Sequence, residues 1–225
     1  MHSRYRTAVS SIVPRYSLIL LFVKNFLQNE SNLTGGVITE KYLLDKFGRK
    51  DGGDLFLRQQ DELSKLTAEI KGKTKQQRNT LVKTILPRIA LYRVLQTSMT
   101  KREAYSVLQD YLQNGVCVKM IKQYRMIEKL PNFFSIYHAV FSYAVLHSDN
   151  WVAECLFSNR NEFQINIRRC LWYDACVENG CPELITAFCA CDDTLYSCLH
   201  KMRFFRSGSL GHGNELCDFR FTRTK

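Results

Sequence analysis

Residues 163–223 read FQINIRRCLWYDACVENGCPELITAFCACDDTLYSCLHKMRFFRSGSLGHGNELCDFRFTR. The opening Phe163-Gln-Ile-Asn-Ile-Arg alternates apolar and polar residues, which predicts a half-buried strand over Phe163–Trp172. Tyr173–Glu178 reads as a short helix stopped at Gly180. Pro182 suits the first turn of a helix running to about Leu199, since its missing N–H is unneeded there. Met202–Ser209 and Leu216–Arg223 are strand-like, and the Gly211-His212-Gly213 turn between them predicts an antiparallel hairpin. Strand, helix, strand, strand in this order gives an α+β fold: a helical N-terminal part, then a strand–helix–hairpin unit with a small antiparallel sheet.

Upstream of this unit the patterning is helical. Leu55, Leu63, Leu66 and Ile70 recur at helical spacing. Leu81, Ile85, Ile89, Leu91 and Leu95 mark a helix over Gln76–Gln96, with a kink expected at Pro87. Thr100-x-x-Glu103 reads as a capping box that opens a helix to about Gln113. Residues 117–130 and 133–147 read as two more, parted at Pro131. An apolar helix over Tyr16–Leu27 is expected in an N-terminal extension, residues 1–36. Residues 37–149 form the helical region and 150–225 the cysteine-rich α+β region; 37–225 read as one domain.

The chain has 225 residues and a net charge of +11. Residues 1–150 carry 23 Lys and Arg against 12 Asp and Glu, whereas 151–225 carry nine of each. The basic half and the cysteine-rich half are therefore different regions. A basic helical surface suits nucleic acid or anionic lipid, but a solvated face explains it as well, so nucleic acid is not expected as a partner. No apolar run approaches the roughly 18 residues needed to span a bilayer. Leu18–Val23 is closed by Lys24, and no small-residue cleavage site comes after it, so a cytoplasmic protein without export signal or membrane association is expected. An odd count of nine cysteines in such a chain points to reduced thiols. P-loop, G-x-G-x-x-G, G-x-S-x-G and H-E-x-x-H motifs are absent, which removes the common nucleotide and hydrolase fingerprints.

Seven of the nine cysteines fall between Arg168 and Arg223. Cys189, Asp192 and Asp193 are spaced i, i+3, i+4 and share a helix face; Cys191 points away from it. Cys181 lies near the helix start, where the dipole favours thiolate. Cys189, Asp192, Cys181 and Cys217 are the candidate catalytic groups. Each thiol read alone is more readily a small core residue, and Cys217 falls in phase with Phe219 and Phe221. Gln164, Asn166, Arg168 and Cys170 share the polar face of the first strand, where Arg168 would grip a substrate carboxylate through two parallel hydrogen bonds. Glu183, Asp193, His212 and Asp218 complete the candidate substrate-binding set. Without a C-x-x-C pair, and with Cys189 and Cys191 diverging, no metal or other cofactor is expected, although Cys170, Cys181, Cys189 and Cys217 from separate elements leave a metal site open.

At these residues the sequence resembles a known family. Arg169-Cys-Leu-Trp-Tyr, Gly180-Cys-Pro-Glu-Leu, Phe188-Cys-Ala-Cys-Asp-Asp, Phe205-Arg-Ser-Gly-Ser-Leu-Gly-His-Gly and Cys217-Asp-Phe-Arg-Phe are similar to the L-2-amino-thiazoline-4-carboxylic acid hydrolases. Arg88-Ile-Ala-Leu-Tyr upstream is similar too, and the likeness covers roughly residues 75–225. The resemblance implies a hydrolase acting on a non-peptide C–N bond, opening a cyclic amidine or thiazoline ring in a small sulfur-containing amino acid. A thiol and a carboxylate in one pocket supply the nucleophile and the proton transfer that such a reaction needs. The alternative is a non-catalytic sensor domain that binds a small molecule or a metal on the same scaffold.

Overall fold

Four strands form one antiparallel sheet in the order β1-β2-β4-β3: β1 Trp151–Ser158, β2 Glu162–Cys170, β3 Met202–Phe205 and β4 Cys217–Arg223. The protein's structure is a computed structural model that describes residues 36–224. The helix expected at Tyr16–Leu27 lies outside the described residues. Period-two alternation places Phe163, Ile165 and Ile167 of β2 beside Phe221, Phe219 and Cys217 of β4, register partner for register partner. All six are buried. Glu162 and Arg220, on the opposite face, form an ion pair. The expected hairpin is β3–β4, paired Met202 to Arg223 and Phe205 to Arg220.

β1 has no counterpart among the sequence expectations. Its buried-side residues Trp151, Ala153, Cys155 and Phe157 alternate with Val152 and Leu156, which are also apolar yet exposed. Apolar residues on both faces hide the period. Pairing of β1 with β2 slips between Val152 and Ala153, so that Arg168 has no partner in the register. Such a bulge reverses the phase of the residues beyond it. Cys170 therefore does not share a face with Arg168 as regular alternation implies.

The helices lie in chain order α1 Gly36–Ala68, α2 Lys75–Thr80, α3 Leu86–Leu95, α4 Lys101–Asp110, α5 Val118–Glu128, α6 Phe133–Leu146, α7 Leu171–Glu178 and α8 Leu184–Ser197. α4 opens on the expected box: the Thr100 hydroxyl accepts from the Glu103 N–H, and the Glu103 carboxylate accepts from the Thr100 N–H. The kink expected at Pro87 is a π-helical turn, Leu81–Ile85, running straight into α3. Pro87 has no N–H for the Lys83 carbonyl, and the ladder widens to accommodate this. A second π turn, Tyr111–Cys117, joins α4 to α5.

Nine of the ten residues of α3 are buried, which makes it a core helix wrapped on all sides. Its neighbours α1 and α4, with α7 and the start of α8, build one apolar cluster. The sheet, α6 and the end of α8 build another, with the Phe163–Phe221 stack at 4.9 Å and Tyr137 edge-on to Phe221 at 5.3 Å. Buried Glu128 at the end of α5 accepts from the His200 and Lys201 N–H groups at 2.6 and 2.7 Å, fixing where β3 begins. No helix among the described residues is long and apolar enough to cross a membrane.

Candidate active site

Between the two apolar clusters lies a cavity of about 380 Å³, within the size range of small-molecule sites. α8 forms one wall. Ile185, Phe188, Cys189, Asp192 and Tyr196 line the cavity, a spacing that one helix face provides. The bulge in β2 sends Cys170 to the cavity, and Cys217 reaches it from the first residue of β4. Trp151 and Trp172, stacked at 5.3 Å, also line it. Both π turns contribute, Thr84 from the first and Leu112 and Val116 from the second.

Arg206, in the loop after β3, brings the charge. Its side chain is only 6% exposed. It donates to Asp193 at 2.7 Å, to Asp192 at 3.4 Å and to the Cys189 carbonyl at 3.2 Å. Phe204 and Phe219 flank its guanidinium, with ring centroids 5.7 and 5.5 Å away. The Asp192 side chain keeps 36% of its surface, but it lines an apolar cavity and is poorly hydrated there. Burial pushes its carboxyl up to about 7, against the downward pull of Arg206. Asp193 is exposed and serves to hold Arg206.

The thiols beside this pair are protonated. Burial, then the Asp192 charge, pushes Cys189 up to about 12. Burial likewise pushes Cys170 up to about 11 and raises Cys217, whose sulfur accepts from the Leu210 N–H at 3.3 Å. Gly211 lets the same loop pack closely on α8. A Cβ there would stand 3.1 Å from the Cys189 sulfur and 3.3 Å from Ile185.

Of the sequence candidates, Cys189, Asp192, Cys217 and Cys170 meet in the cavity. Cys191 lines it as well, which corrects its placement as pointing away; it faces Cys117, and that thiol contact holds Cys117 low. Cys181 sits ahead of α8, outside the cavity lining. Its thiol is held low, first by a hydrogen bond with Cys176. Glu183 accepts from Tyr92 at 2.7 Å and pairs with Lys101 at 3.1 Å, away from the cavity. Arg168 is exposed and pairs with Glu154 at 2.6 Å. Exposed His212 is bonded to Ser209 at 2.7 Å. Asp218 accepts from the Ser207 and Gly208 N–H groups at 2.9 and 2.7 Å, bracing the loop that carries Arg206. With Gln164 and Asn166 it lines a separate polar hollow.

Two residues were missing from the candidate set, Arg206 and Arg88. Arg88 is 4% exposed and lines the cavity. One nitrogen of its fork donates to the Thr84 carbonyl and, at 3.3 Å, to the Lys83 carbonyl, for which Pro87 has no N–H. No carboxylate among the described residues pairs with it. A signal for Arg88 was available: it falls on the Leu81–Ile85–Tyr92 stripe, where a cation is out of place. No three His, Cys, Asp or Glu side chains among the described residues converge to hold a metal ion.

No curated protein matches this chain. A solved structure described as "Crystal structure of Fe(II) unliganded H-NOX protein from K. algicida" is 10% identical, over 85% of this chain and 97% of that one, with a TM-score of 0.24. At that score the likeness carries no argument. The family model described as "ATC_hydrolase: L-2-amino-thiazoline-4-carboxylic acid hydrolase" matches residues 78–221, and these contain every residue that lines the cavity. The chain belongs to the L-2-amino-thiazoline-4-carboxylic acid hydrolase family.

Proposed function

We propose that the protein hydrolyses the C–S or C–N bond of a cyclic amidine, opening a thiazoline ring acid, with Cys189 as nucleophile and Asp192 as its acid–base partner. The observation that carries this is a poorly hydrated carboxyl one helical turn from a buried thiol, in a cavity of ligand size. A thiol pushed up to about 12 is almost never ionised at neutral pH, so it needs a base at the moment of attack. A carboxyl near 7 is about half ionised there, the poise that favours proton transfer both ways.

The substrate enters as the protonated amidine. Asp192 takes the Cys189 proton while the sulfur bonds to the amidine carbon and the C=N electron pair moves onto the ring nitrogen. The acid form of Asp192 then protonates the ring sulfur as the C–S bond breaks, freeing the substrate thiol. Water, giving a proton to Asp192, adds to the same carbon. The Cys189 sulfur leaves and recovers that proton. The product leaves as a protonated open-chain urea bearing a thiol and gives its extra proton to water. Arg206 positions Asp192 throughout, and Cys217 and Gly211 shape the wall beside the Cys189 sulfur.

The assay is ring opening of 2-amino-thiazoline-4-carboxylate monitored by mass spectrometry. Cys189→Ser is expected to lose several orders of magnitude with an unchanged circular dichroism spectrum. Asp192→Asn is expected to lose on the order of 10²-fold or more. Acid quenching during turnover should trap the substrate on the Cys189 peptide. Near-normal turnover by Cys189→Ser would remove the covalent step, and the same result for Asp192→Asn would remove the proposal.

A further inference from the structure

Charged groups account for little of the cavity wall. Arg88, Asp192 and Arg206 are the charged side chains of the lining, whereas α5 and α6 present Tyr124, Phe133, Ile136, Val140, Phe141 and Val145. A bare thiazoline acid has about nine non-hydrogen atoms and is polar over most of its surface, so it leaves that apolar wall uncovered in a site that can hold a larger ligand. Apolar walls without partner atoms forfeit dispersion contacts. Arg88 is a buried cation in this lining whose fork spends one nitrogen on the Lys83 and Thr84 carbonyls and meets no carboxylate among the described residues. A buried charge in that state calls for an anion, and the cavity that Arg88 lines has room for a ligand that carries one. The planar fork matches a carboxylate.

We infer that the cavity takes an amphipathic carboxylic acid, with the carboxylate on Arg88 and an alkyl or aryl body along α6. Only the placement of a reacting ring beside Asp192 rests on the ring-opening reading. In that setting the substrate is a ring acid bearing an apolar substituent, and Arg88 and the α6 wall are its specificity determinants.

Binding without turnover tests this. The full chain is titrated calorimetrically with butanoate, hexanoate and octanoate, and with octanol as a neutral control. Each added methylene should tighten binding about fourfold, so octanoate should exceed butanoate on the order of 10²-fold. Octanoate should exceed octanol at least tenfold. Arg88→Gln should erase the preference for acid over alcohol, while Arg88→Lys, which keeps the charge, retains part of it. Val140→Trp fills the α6 side and should erase the chain-length gain but spare butanoate. Circular dichroism checks each variant. Affinity independent of chain length, or an acid preference that survives in folded Arg88→Gln, overturns the inference even if the thiazoline ring is opened. Octanoate binding of the expected kind without ring opening would overturn the catalytic reading and leave this one standing.

Discussion

Replacing Arg206 by methionine tests how the site sets its own working pH. The guanidinium lies 3.4 Å from Asp192 and 2.7 Å from Asp193, and methionine keeps an unbranched stem against Phe204 and Phe219 without the charge. A neighbouring Arg lowers a carboxyl by about 1–3 units, so its removal should carry Asp192 from about 7 to roughly 8–10. At pH 7 the ionised fraction then drops about 5- to 500-fold. If the ionised carboxylate is the base, kcat/KM at pH 7 falls by the same factor and recovers as pH rises. Asp193 supplies the opposite sign. Its charge raises Asp192, so Asp193→Asn should move the midpoint of the pH profile to lower pH, provided Arg206 stays in place. The assay is kcat/KM for ring opening from pH 5 to 10 for the wild type, Arg206→Met, Arg206→Lys and Asp193→Asn. A purely structural Arg206 would lower the whole curve without moving its midpoint. An Arg206→Met profile centred with the wild type would refute the electrostatic coupling.

Folding stability should carry the same group's signature. Asp192 is raised in the folded state from an ordinary value near 4, so the native protein holds a proton that the unfolded chain releases between about pH 4 and pH 7. Its contribution to stability is therefore full below about pH 4 and is lost as pH rises through 7, by about 2 kcal/mol after allowing for water in the cavity; urea titrations of the wild type against Asp192→Asn should show that difference closing at low pH. Gly211→Val should cut turnover more than stability, because its side chain is forced on the Cys189 sulfur and Ile185; a normal rate would place the reacting thiol elsewhere. Phe221→Ala empties a fully buried site in the sheet and should cost about 3–5 kcal/mol in chemical denaturation. A loss under 1 kcal/mol would mean that the aromatic cluster repacks.

How far the fold could be read depended on whether each element buries one face. β2 and β4 bury one face each, and Phe163–Ile167 and Cys217–Phe221 betray it by alternation. The capping box at Thr100 is a local hydrogen-bond arrangement and is equally legible. β1 carries Val152 and Leu156 on its exposed side, so its period vanishes. The bulge opposite Val152 is a matter of pairing between strands, and no local pattern in Arg168-Arg169-Cys170 announces it. That single extra residue decides the fate of two candidates. It leaves Arg168 outside with Glu154 and turns Cys170 into the cavity.

The same division governs the site. Cys189 and Asp192 could be found because i and i+3 on one helix share a face whatever the rest of the chain does. Arg206 lies fourteen residues beyond Asp192, in a loop whose course is set by Asp218 gripping the Ser207 and Gly208 N–H groups. Only the folded hairpin brings it back over α8. Arg88 comes from farther still. What brings it into the cavity is local, the π turn that Pro87 imposes and the carbonyl this leaves for the guanidinium. The role proposed for it is distant, since no carboxylate among the described residues pairs with it and a ligand's carboxylate would supply the anion. A cation on an apolar stripe, one residue after a proline inside a helix, is thus a readable sign that this side chain lines a cavity. The test of that reading lies in how the acid preference responds to Arg88→Gln.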